Sequence, residues 1–229
     1  MRVLYAIFIA CLAAPSIAEI DRHITVTGTA EVSAQPDMAT IQLGVVKEAQ
    51  DATQALNDSS AVMTEMLEKL AAAGVEPRDI QTSDLSLSPV YSRNSLEQNE
   101  APRITGFRAS NTLRVHVRDM DSLGNIIGLV TDGGANQFYG LTFGLQDTST
   151  VLDQARREAI ANARSKADLY ALAAQVQVGS VLSISEMTQN APSPFARMEM
   201  QSMVSDNVPV ASGEMQFSAS ISVTYGIAE

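Results

Sequence analysis

The chain has 229 residues, of which 45% are hydrophobic, with 15 basic against 26 acidic residues, one cysteine and no tryptophan. That length supports a sizeable core as one domain or two tightly packed lobes. The acidic balance disfavours nucleic acid and anionic lipid as main partners, and the lack of tryptophan argues against an aromatic-lined carbohydrate cleft.

Met1-Arg2 followed by the apolar run Val3–Ala14 is too short to span a bilayer as a helix, and Ser16-Ile17-Ala18 has the small residues of a cleavage site. Residues 1–18 therefore read as a secretory signal peptide cut after Ala18, with export to the periplasm as the expectation. Lipoprotein processing at Cys11 is the alternative, with a very short apolar run before it. Arg2 is the only charged residue of the segment, so residues 19–229 keep 14 basic and 26 acidic residues, a net −12, and no cysteine. A chain without cysteine has no disulfide, no thiol nucleophile and no thiolate metal site.

From Ile24 to Val46 the pattern alternates with period two, which reads as two strands. Ile24, Val26, Ala30 and Val32 share one face of the first. Ala39, Ile41, Leu43 and Val45 share one face of the second. Gln35-Pro36-Asp37 between them is turn chemistry, so a hairpin is expected. Asp51 is placed to cap a helix to about Ala73, with Ala55, Leu56, Met63, Met66, Leu67 and Leu70 as its buried stripe and Gly74 and Pro77 as its stop.

Extended segments follow at 80–91, with Leu85 and Leu87 alternating against Asp84, Ser86 and Ser88, and at 107–117, with Leu113, Val115 and Val117 inward. Residues 92–102 read as a polar hairpin tip. A short helix over 119–131 carries Leu123, Ile126, Ile127 and Val130, and a strand occupies 137–145. Thr148 or Ser149 is placed to cap the longest helix, to about Gln175. Its expected inner face is Leu152, Ala155, Ala159, Ile160, Ala163, Ala167, Tyr170 and Ala174. Leu182 and Ile184 mark a strand, and Met215, Phe217, Ala219, Ile221, Val223 and Tyr225 form one face of the last. The order ββαββαβαββ, with three helices, predicts an α+β fold built mainly on antiparallel sheet.

The wording of the first two strands, Val26-x-Gly28-x-Ala30-Glu31-Val32-x-Ala34-x-Pro36-Asp37-x-Ala39, resembles the opening of the SIMPL-domain family of bacterial envelope proteins, which includes a periplasmic immunogenic antigen. The resemblance extends through AGVEPRDIQTSDLSLSPVY, ITGFRASNTLRVHVRDMDSLGNIIG, the stretch that leads into the long Ala/Arg helix and the closing VPVASGEMQFSASISVTY. It implies an exported α+β domain over 19–229, prone to homo-oligomerise and loosely linked to envelope integrity or oxidative stress. It carries no catalytic residues to this chain and implies no cofactor. Ala211-Ser212-Gly213 stands where such proteins often have Pro-Gly before the last Glu.

The chemistry-bearing residues are sparse. No nucleophile elbow, phosphate loop, dinucleotide fingerprint or His-Glu-x-x-His occurs, and the two histidines, His23 and His116, are far apart. A non-enzymatic role is expected. Arg108, Arg114, His116 and Arg118 share a strand face in an acidic protein. They predict either cross-strand pairing with carboxylates such as Glu31, Glu48 or Asp84, or a contact with a partner subunit. Met198, Met200 and Met203, in a proline-dotted stretch over 188–212, are soft thioethers at a spacing that suits Cu(I). Apolar packing at a loop anchor or subunit contact is the competing use.

Overall fold

Alternation of branched and hydroxyl residues gives the chain its strands, and two glycine-terminated apolar stripes give it its first helices. The structure, a computed structural model, describes residues 22–92, 101–187, 194–195 and 210–228. The elements are β1 (His23–Ala34), β2 (Met38–Ala49), α1 (Ala52–Ala72), β3 (Ile80–Tyr91), β4 (Ile104–Val117), α2 (Leu123–Asp132), β5 (Gln137–Gly144), α3 (Ser149–Ala174), β6 (Gln177–Met187), the two-residue β7 (Pro194–Phe195) and β8 (Glu214–Ala228). This is an α+β fold with three helices on antiparallel sheets, and β7 is the strand beyond the expected order. The expected signal segment, 1–18, and the methionines Met198, Met200 and Met203 lie outside the described residues.

The strands form two sheets, β3-β4-β2-β5 and β1-β8-β6, with β7 against β8. The expected β1–β2 hairpin is therefore corrected: the two strands enter different sheets. Turn chemistry at 35–37 is real but local. The turn is instead fastened to the end of β5, where Asp37 N–H donates to the Gly144 carbonyl (3.1 Å) and Gln146 N–H donates to Asp37 Oδ1 (2.7 Å).

The residues fall into two compact units, 22–29 with 158–187 and 220–228, and 30–157 with 194–195 and 210–219. The larger unit owes its core to one face of its sheet. Ala39, Ile41, Leu43 and Val45 of β2 and Leu113, Val115 and Val117 of β4 lie under Met63, Met66 and Leu70 of α1 and Leu123, Ile126 and Val130 of α2. Each fully buried Leu, Ile or Met there contributes about 1.5–3 kcal/mol of transfer free energy. Helix α1 ends on Gly74 at φ +86°, a left-handed stop that favours glycine. Asp51 occupies its N-cap position without a side-chain cap bond. Strand β3 pairs with β4 from Ile80↔Val115 to Tyr91↔Ile104, and Ser92 and Arg103 close the ladder through Ser92 N–H to the Arg103 carbonyl. Leu85 and Leu87 remain exposed on this edge strand.

In the smaller unit, the Arg22 carbonyl accepts from Ile227 N–H and Thr25 Oγ1 meets Thr224 Oγ1 (3.0 Å), so β1 runs antiparallel to β8. Strand β6 pairs on the far side of β8, from Gln177↔Ala228 to Met187↔Ser220. The buried stripe of α3 is Ala155, Ala159, Ala163, Ala167 and Ala171. Four of these match the expected face. Ile160, Tyr170 and Ala174 do not, being exposed, and Leu152 is half-buried. The reason is Gly28: a Cβ there would fall on the Ala159 carbonyl oxygen, 2.6 Å from Ala163 N and 2.7 Å from Ala163 Cβ. Helix and strand backbones meet so closely that only alanine fits between them. The N-terminus of α3 is held by Asp147, whose Oδ1 accepts from Ser149 N–H (2.8 Å).

Candidate functional site

The charged face of β4 develops from the antiparallel register of its sheet. Arg108 stands opposite Glu48 in the ladder. Its guanidinium donates to Glu48 Oε1 from Nε (2.7 Å) and reaches the same oxygen from NH2 (2.6 Å). Of the three carboxylates expected to pair with this face, Glu48 does so. Both side chains are about half exposed, so the pair holds register and contributes little stability. His116 stands opposite Thr40, and Nδ1 lies 3.0 Å from Thr40 Oγ1. Arg114 is exposed between Gln42 and Gln81 and makes no ion pair among the described residues.

Arg118, just past the end of β4, is built into a tighter cluster. Its Nε and NH2 donate to Asp79 Oδ2 (2.8 Å) and Oδ1 (2.6 Å) in a two-pronged pair, and NH1 donates to Gln146 Oε1 (3.2 Å). The Gln146 side-chain amide in turn donates to the Asp37 carbonyl (3.1 Å) and, at 3.4 Å, to that of Arg118. Four segments meet here: the turn before β2, the 3₁₀ turn before β3, the end of β4 and the residues after β5. The Asp79 side chain is only 5% exposed, and a carboxylate in that position needs its partner. Hydrogen bonding from Arg118 holds the Asp79 carboxyl below the usual carboxylate range against the opposing effect of burial, and Asp79 raises Arg118 in return. The pairing of Ile80 with Val115 brings Asp79 within reach of Arg118, although 39 residues separate them. That juxtaposition has no local sequence signal.

A second polar clamp was equally hidden. Asn136 Oδ1 accepts from Val46 N–H and its Nδ2 donates to the Val46 carbonyl, both at 2.8 Å. The side-chain amide thus continues the β2–β5 ladder beyond the first residue of β5.

Each resolved shift among the described residues favours the charged form of its group. Asp147 is lowered chiefly by the Ser149 backbone N–H, and Glu65 chiefly by its hydrogen bond with Lys69. Among the described residues no three His, Cys, Asp or Glu side chains gather as a metal site. No described helix is long and apolar enough to cross a membrane. The arrangement clamps strands together and presents surfaces.

Exposed large apolar side chains occur in both units, and the smaller unit holds the two most exposed of those described. Leu172 is 77% exposed, Leu169 61% and Ile184 56%, and Tyr170, Val181, Leu182 and Met187 are exposed as well. Single exposed apolar side chains are ordinary, and Leu85, Ile104 and Phe138 of the larger unit are exposed to about the same extent as Ile184.

Comparison with known proteins places the chain among relatives of matching length. The SIMPL family, described as "Protein of unknown function (DUF541)", matches residues 24–225. The 26 kDa periplasmic immunogenic protein of Brucella melitensis is 35% identical over 214 residues, covering 90% of this chain and 84% of its own. A protein named "Uncharacterized protein YggE" from Escherichia coli K12 is 30% identical over 200 residues, covering 87% and 78%. The protein of that name from Edwardsiella ictaluri is 30% identical over 177 residues, covering 77% and 73%.

Proposed function

The chain belongs to the SIMPL family, and from that premise we propose that it is an exported, non-enzymatic protein of the periplasm and cell envelope that works as a homo-oligomer. The observation that carries the assembly is the exposed apolar set of the smaller unit, Leu169, Leu172, Val181, Leu182 and Ile184, in which Leu172 and Leu169 are the most exposed large apolar side chains among the described residues. Export is supported by the n-region, apolar run and small-residue site of residues 1–18 and by the periplasmic name of the Brucella relative. A scaffold role is supported by polar clusters that lock strands together. An indirect part in envelope integrity or oxidative stress fits an assembly with no chemistry of its own.

Arg114 keeps the partner-contact reading of the β4 face open, since Arg108 and Arg118 are engaged within the chain. The competing reading is a Cu(I)-binding module using Met198, Met200 and Met203. Light scattering on the chain beginning at Glu19 separates the two. Assembly at micromolar concentration is expected, and a monomer with Cu(I) affinity would put the binding module in its place.

A further inference from the structure

A strand edge presents unpaired N–H and C=O groups, and most of the edges described here are blunted or occupied. On β1, Lys166 Nζ donates to the Thr27 carbonyl (2.7 Å) and Thr29 N–H donates to Asn162 Oδ1 (3.1 Å), so side chains of α3 occupy the free edge. Strand β3 carries a register break at Ser83 beside Asp84, and Pro89 further along. Strand β5 is short and broken at Tyr139, next to Gly140.

Strand β6 differs. Its first half is irregular, with register shifts between Val178 and Ser183, but Ser183–Met187 pairs regularly with Thr224–Ser220 of β8. Every residue from Ser180 to Met187 is exposed. The strand contains no lysine, arginine or proline, and Glu186 is its only charged residue. Residues 169–185, which run from the last turns of α3 through most of β6, carry no charge at all in a chain of net charge −11.

We infer that β6 is the self-association edge: a second copy of this chain pairs its own β6 antiparallel to the first about a two-fold axis within Val181–Ser185. The inference rests on the homo-oligomeric reading and names its surface. Charge selects the occupant. Two acidic chains repel each other least where both are neutral, and the neutral stretch 169–185 runs into the strand that, among the described residues, ends its sheet. An axis there keeps the two Glu186 carboxylates from facing each other. An isologous contact uses the same strand from both copies and closes without leaving a further edge. An anionic membrane surface would call for lysine or arginine on the strand, and there is none.

Single cysteines test the pairing, since the chain from Glu19 onward has none of its own. Residues facing each other across an antiparallel pair lie about 4.5–5.5 Å apart at Cα, within disulfide reach. Val181→Cys through Ser185→Cys, each in the chain beginning at Glu19, would be oxidised mildly and run without reductant, with Ser60→Cys on α1 as control. One position should give mainly covalent dimer, with its neighbours falling off on both sides. Ile184→Lys with Ser185→Lys should lower the mass by light scattering at least twofold while circular dichroism stays unchanged. Cross-linking no higher than the control, in a protein that stays assembled, would overturn the edge and leave the assembly standing. A monomeric unsubstituted chain would overturn the assembly itself. Sedimentation of the unsubstituted chain with phosphatidylglycerol vesicles that an Ile184→Asp variant loses, with no change in mass, would assign the edge to a membrane and overturn the inference as well.

Discussion

Replacing Gly28 by alanine adds a single methyl at the point where β1 and α3 come closest. That methyl would fall on the Ala159 carbonyl oxygen and stand 2.6 Å from Ala163 N, so the obstacles are backbone atoms, which have no rotamer to move to. Overpacked cores typically lose about 1–3 kcal/mol when side chains can shift, and here a helix must shift, so about 3 kcal/mol or more is expected. Against a typical stability of about 5–15 kcal/mol that is a large fraction of the whole. Urea unfolding followed by circular dichroism measures it as a fall in midpoint. Gly144→Ala is the control, because a Cβ there meets only Met38 Cε at 3.6 Å, and it should stay within about 1 kcal/mol of the parent. Adding Ala163→Gly removes the Cβ 2.7 Å away but leaves the carbonyl, so it should not rescue Gly28→Ala. Full rescue, or a loss below about 1 kcal/mol, would refute a backbone-on-backbone contact.

Four further outcomes are expected. Asn136→Ala removes both hydrogen bonds to Val46 and should cost about 1 kcal/mol, read as a lower urea midpoint; an unchanged midpoint would mean that water replaces the amide without loss. Because the folded Asp79 carboxyl titrates below its unfolded value of about 3.9, its contribution is present above that pH and lost as pH falls through the lowered folded value. Asp79→Asn should therefore be less stable at neutral pH and show a flatter decline in thermal midpoint below about pH 4; a parallel decline would show that other carboxylates drive acid unfolding. Ile160→Asp should fold normally because Ile160 is 40% exposed, whereas Ala163→Asp should not, and circular dichroism distinguishes the two. The triple Met198, Met200, Met203→Ile variant should keep its assembly, and loss of tight Cu(I) binding on that substitution would favour the metal-binding reading.

The elements whose signals are local were legible in the sequence. The alternation in β2 and the apolar stripe of α1 set the core of the larger unit, because periodicity reports which face of an element is dry. Partner choice is not local. Pro36-Asp37 announces a turn, yet nothing nearby says that β1 pairs with β8, almost the full length of the chain away. On α3 the apolar face was read too widely, drawing in Ile160 and Tyr170. What limits that face is the glycine opposite, which the helix's own sequence cannot show. Gly28 inside an alternating strand was the available signal for a close backbone approach. The Asp79–Arg118–Gln146 cluster depends on register between distant strands, so its members looked like ordinary surface charge. Met198, Met200 and Met203 lie outside the described residues, and the sequence remains the ground for that reading.

Assembly is the central claim, and the mass of the chain beginning at Glu19, measured by light scattering across micromolar concentrations, tests it most directly. A stable multiple of the chain mass is expected, with Leu169, Leu172 and Ile184 among the exposed apolar side chains that assembly would cover. A single-chain mass at every concentration would contradict the account.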